Sequence, residues 1–127
     1  MQENHLFEYA VIRVVPKVER EEFLNVGVVL FCSKQKFLQA KIKLDEKRLS
    51  ILCGALDMQE LKEHIHSFER ICMGGPDGGT IGILSMAERF RWLTSTRSTI
   101  VQTSKVHPGL CRDADEMLTR LYDQLVL

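Results

Sequence analysis

Several function classes are missing from this sequence. No apolar run nears the roughly 20 residues that a membrane helix needs. Met1-Gln-Glu-Asn-His5 is polar and acidic with no apolar stretch behind it, so no secretory leader is expected. Lysine plus arginine number 17 against 17 acids, and a formal charge of zero removes any global pull toward nucleic acid or anionic membrane. The four cysteines (Cys32, Cys53, Cys72, Cys111) contain no C-x-x-C pair, and each sits in or beside an apolar segment. They read as small hydrophobes in a reducing, cytoplasmic protein. His64 and His66 lie two apart on a predicted helix and face away from each other, a poor metal pair. The glycine-rich run 74–82 lacks a following Lys-Ser/Thr, so it is not a phosphate loop, and no G-x-G-x-x-G follows a strand. It reads as a flexible connector. No cofactor and no metal is implied.

What is present is ordinary for a folded protein. At 127 residues, 45% apolar and 27% charged, the chain fits a single globular domain without a linker. Residues 8–16 are rich in β-formers and stop at Pro16. Arg13 interrupts one of their faces and calls for snorkelling or a carboxylate, with Glu21 and Glu22 the nearest candidates. Residues 23–32 are apolar on both faces and so central. Gly27 within them implies a bulge or a close approach, and Asn25 needs a partner if buried. Residues 37–44 alternate, with Leu38, Ala40, Ile42 and Leu44 inward and lysines outward, the pattern of a guarded edge. Asp45, Asp57, Ser85 with Glu88, and Asp113 each precede a helical pattern as caps. Residues 99–104 read as a strand and 107–109 as a turn. The expected architecture is α+β, an antiparallel sheet of about four strands with helices mainly on one face.

Charge is uneven at one place. Residues 85–112 hold five cations (Arg89, Arg91, Arg97, Lys105, Arg112), one acid, the single Trp92 and a dense set of hydroxyls. Arginine forks beside hydroxyls suit an anionic ligand, and they equally suit the tying of loops within a fold.

The stretches Tyr9–Pro16, Arg20–Phe31, Arg89–Leu93, Arg97–Ser104 and Val106–Leu110 resemble, in order and across nearly the whole chain, a bacterial family known only as domain-of-unknown-function family 3037. The resemblance implies a small stand-alone bacterial protein without an established activity, sometimes beside a HipA-like kinase fold. It places the family's polar signature on Arg13, Arg20, Glu22, Asn25, Arg89, Arg91, Arg97, Ser98 and His107.

Three readings follow. The first is a non-catalytic domain that acts with a protein partner, anchored by arginine and Trp92, with a strand edge as a second means of docking. The alternative is phosphate, nucleotide or nucleic-acid binding through residues 85–112, with Trp92 stacking a base. The third is a hydrolase or nuclease. It would use His107 with Cys111 as a nucleophile pair, or Glu22, His107 and Arg97 as base, acid and clamp.

Overall fold

A computed structural model describes residues 4–17, 22–97 and 99–127. Its centre is β1 (His5–Val14), flanked on one side by β2 (Leu24–Cys32) and then β3 (Phe37–Ile42), all antiparallel. The β2–β3 hairpin turns through Ser33–Lys36, with Lys36 in the left-handed region at φ 52°. On the other side of β1, two short strands share one edge. β4 (Val101–Thr103) pairs with residues 12–14, and β5 (His107–Cys111) pairs with residues 5–9.

The sheet therefore has five strands where about four are expected from sequence. The extra one is β5, whose His-Pro-Gly opening reads as a turn. An edge strand explains the difference. Ser104 N–H donates to the Val11 carbonyl, so the odd-numbered residues of β1 turn their backbone groups toward β4 and β5. Pro108 lies opposite Glu8, so its missing N–H faces away from β1 and no ladder bond is lost.

Two irregularities shape the sheet. Between Ile12↔Gly27 and Arg13↔Asn25 the register slips by one, leaving Val26 as the extra residue of a bulge. A Cβ on Gly27 would lie 2.7 Å from the Lys41 carbonyl oxygen and 2.8 Å from Ile42 Cγ1, so only glycine fits there. The second slip lies between β4 and β5, where Ser104 substitutes a side chain for a ladder acceptor. Its Oγ accepts from Val11 N–H at 2.8 Å while its own N–H donates to the Val11 carbonyl at 2.8 Å.

Both faces of the sheet are covered. α1 (Glu46–Leu52), α2 (Met58–Met73) and α4 (Met86–Leu93) pack Leu49, Leu61, Ile65, Phe68, Phe90 and Leu93 against Ala10, Ile12, Val14 and Val29. α5 (Ala114–Leu125) packs Leu118 and Tyr122 on the opposite face, against Phe7, Val28, Leu30 and Cys32. Helices thus lie mainly, though not wholly, on one face. Neighbouring Val28 and Val29 enter opposite cores because side chains alternate along a strand.

The helices start where the sequence places caps. Asp45, Asp57 and Asp113 accept from the first-turn amides of α1, α2 and α5, and Ser85 with Glu88 closes a capping box on α4. The glycine-rich run is more ordered than a flexible connector. It forms a 3-10 turn (Pro76–Gly78) and the short α3 (Gly79–Gly82), and Gly75 N–H donates to the Gly82 carbonyl at 2.7 Å. Among the described residues no helix is long and apolar enough to cross a membrane.

Candidate functional site

The cations of residues 85–112 disperse once the chain folds. Arg89 turns inward and is only 8% exposed. Its Nη1 donates to the carbonyls of Ile71 and Cys72 at 2.8 and 2.7 Å, and its Nε to the Leu84 carbonyl at 3.1 Å. The first two carbonyls end α2, where a cation also meets the negative pole of the helix. A Cβ on Gly74 would lie 2.7 Å from this guanidinium, and Gly74 has φ 79°, so backbone and space both require glycine. Arg89 ties α4 to the end of α2. Burial pushes the neighbouring Cys72 thiol up to about 12, against the opposing pull of Arg89.

Arg91 and Trp92 occupy the exposed last turn of α4, with Trp92 40% exposed. Arg97 folds back over that ring, its Cζ 3.7 Å from the centroid. Its Nη2 donates to the Trp92 carbonyl and to Ser95 Oγ. Partial burial draws Arg97 below its ordinary value. Nearby hydroxyls serve the backbone: Thr94 Oγ1 donates to the Phe90 carbonyl, Ser95 Oγ to Trp92 and Thr99 Oγ1 to Val101. The surface that assembles here is a Trp92–Arg97 stack with Arg91 beside it in sequence.

Arg13 and Asn25 are register partners at the bulge, and Gln102 sits on the other side of Arg13. By strand alternation the three form a polar row on the α5 face, and Asn25 Nδ2 donates to the Leu125 carbonyl at 3.2 Å. The Arg13 guanidinium lies 4.1 Å above the Phe23 ring. Arg13 Nε and Asn25 Oδ1 are buried without a hydrogen-bond partner among the described residues. Glu22 lines a separate hollow with Pro16, Lys17 and residues 52–55. Arg20, Glu21 and Ser98 lie outside the described residues.

The proposed catalytic pairs occupy different neighbourhoods. His107 opens β5, exposed and 5.3 Å from the Tyr9 ring, while Cys111 ends the same strand, buried opposite His5. Four residues of extended chain span about 13 Å, well beyond nucleophile–base contact. Burial also raises the Cys111 thiol, with Cys32 a further cause. Glu22 lines the hollow beside residues 52–55, Arg97 stacks on Trp92 and His107 lies beside Tyr9, so the three are described in separate places. Among the described residues no group of three or more His, Cys, Asp or Glu side chains is placed to hold a metal.

Two concave features escape sequence reasoning. One, of about 750 Å³, is lined by His5, Arg112, Asp113, Glu116 and Arg120 where the ends of β1 and β5 meet the start of α5. The other runs between β3 and α2. Both are made by residues distant in sequence, and only the alternation of β3 hinted at the second.

Residues 9–126 match the model of a family described as Protein of unknown function (DUF3037). The match spans nearly the whole chain, and the chain belongs to that family. No curated protein and no solved structure gives a significant match.

Proposed function

We propose that this chain is a non-catalytic interaction module, a small cytoplasmic bacterial protein that acts by docking a protein partner. A HipA-like kinase fold is the first partner to test, on the strength of the family resemblance alone. The observation that carries the reading is the exposed Trp92 with Arg97 stacked on it. Tryptophan and arginine dominate interface hot spots: the indole buries a large area with only two torsions to order, and an arginine already stacked on it has part of its larger ordering cost met in advance. Here the pair is already in its stacked rotamer before any partner arrives.

A second reading is supported by the same residues. Arg91 and Arg97 beside an indole are also a phosphate-and-base combination. The inward turn of Arg89 and the use of the hydroxyls on backbone carbonyls weigh against it.

Tagged wild-type protein and a Trp92→Ala, Arg97→Ala double variant, purified gently from the native host, separate these readings. One protein recovered in equal amount with the wild type, salt-stable and absent from the folded variant, is the expected result. Nucleotide absorbance in place of that protein would transfer the site to the second reading. Loss of neither component in the variant would remove this surface from the function.

A further inference from the structure

We infer that the outer edge of β3, together with the groove between β3 and α2, accepts an extended acidic segment of a partner as an added strand. The inference rests on the interaction-module reading and names a second surface for it.

Among the described residues β3 pairs with β2 alone. Lys43 N–H donates to the Val26 carbonyl, so Phe37, Gln39, Lys41 and Lys43 turn their backbone groups toward β2. The N–H and C=O groups of Leu38, Ala40 and Ile42 therefore point outward along one line. An edge of this kind is a template for another strand. The opposite edge differs, because Pro108 in β5 removes a donor there.

A floor for side chains lies beside the β3 edge. A hollow of about 430 Å³ adjoins Leu38 and Ala40, walled by Met73 and Met86. A second, of about 280 Å³, adjoins Ile42 and Leu44, and Glu69 borders both. Met73 is 84% exposed, an apolar side chain with room to close over an occupant. The other side of the same strand presents Lys43 and Lys41, both exposed, with the Lys41 ammonium resting 4.8 Å from the centroid of the Tyr122 ring on α5.

These two sides specify the occupant. Alternate residues of an added strand would enter the hollows over the apolar side chains of β3, with Glu69 at their rim, and the intervening ones would lie beside the lysines. Alternating apolar and acidic residues satisfy both. A second copy of this chain fits less well, because antiparallel edge-to-edge pairing puts the lysines of the two copies on one face, Lys41 diagonal to its counterpart when Ala40 pairs with Ala40 and directly opposed when the register shifts toward Ile42. The lysines thus disfavour a like edge and admit an acidic one.

The test uses end-blocked, fluorescein-labelled octapeptides, one alternating valine and glutamate and one alternating valine and lysine, read by anisotropy against the full chain. The glutamate peptide is expected to bind at least about tenfold more tightly than the lysine peptide, and less tightly as salt rises. Ala40→Pro, which removes one outward donor while leaving the β2 ladder intact, is expected to abolish binding at an unchanged melting temperature. Should Ala40→Pro not fold, Lys41→Glu with Lys43→Glu decides, and it is expected to invert the preference. Equal binding of the two peptides, no binding to the wild type, or binding undisturbed in folded Ala40→Pro would overturn the proposal. A wild-type dimer by sedimentation that Ala40→Pro dissolves would overturn it in favour of a second copy. Recovery of the native partner with Ala40→Pro but not with Trp92→Ala, Arg97→Ala would sink the edge and keep the broader reading. An empty purification alongside selective peptide binding would do the reverse.

Discussion

Arg89 carries its charge into the interior and meets carbonyls, not a carboxylate. The fork is satisfied because the last carbonyls of α2 have no partner within their own helix. Arg89→Ala would leave those acceptors unpaired beneath α4, and a loss of about 2–4 kcal/mol is expected in denaturant unfolding. Arg89→Lys should recover only part, since an ammonium cannot reproduce the planar fork. Cys72, packed beside it, makes a second prediction. Its thiol is ordinary at 9.0 in the unfolded chain and is held up to about 12 by burial in the folded one. The unfolded chain therefore releases this proton first. The contribution of Cys72 is whole below pH 9 and drains away as pH rises toward 12. Stability followed from pH 8 to 11 should fall, and Cys72→Ala should flatten part of that slope whatever it does to the value at neutral pH. A neutral-pH thiol reagent should label the half-buried Cys53 first and reach Cys32, Cys72 and Cys111 only on unfolding.

β4 and β5 are one strand interrupted at Ser104, whose hydroxyl oxygen receives the Val11 amide in place of a carbonyl. Ser104→Ala should orphan that buried amide and cost about 1–3 kcal/mol, with faster hydrogen exchange at Val11 as the local sign. The same element shows where sequence reading stops. Helix starts were legible, because a cap and its amides lie within three residues. The bulge at Gly27 was legible, because a glycine in an apolar strand has few other uses. The strand at 107–111 was not, because Pro108-Gly109 is turn chemistry in isolation. Only the position of β1 shows that the missing donor faces outward. The fate of Arg89 was equally hidden, since its acceptors lie 17 and 18 residues away. Trp92, read from sequence as an anchor or a stacking ring, stands partly in solvent, and the Arg97 stack that covers it was not legible.

In the whole molecule, β2 serves two cores at once, so neither can be lost alone. Leu61→Ala in the α2 core and Leu118→Ala in the α5 core are each expected to lower stability by about 2–5 kcal/mol. Both should do so in one transition, with far-ultraviolet circular dichroism and tryptophan emission moving together. Which face α5 covers could not be read from its apolar stripe, because a stripe says that a helix packs and not on which side. A side-chain clip supplies the missing link. Gln35, in the β2–β3 turn, donates to the Arg112 carbonyl at 2.6 Å and accepts from Ala114 N–H at 2.7 Å. Gln35→Ala should leave the cores in place and speed amide exchange in the first turn of α5. The placement of β1 also has a meaning in time. Its partners on one side follow directly, but Val11 waits for Ser104, 93 residues later. At ribosomal speeds of about 5–20 residues per second, that delay is roughly 5 to 20 s. Through those seconds the middle strand of the finished sheet is an open border, and the growing chain is at its most vulnerable to the wrong neighbour.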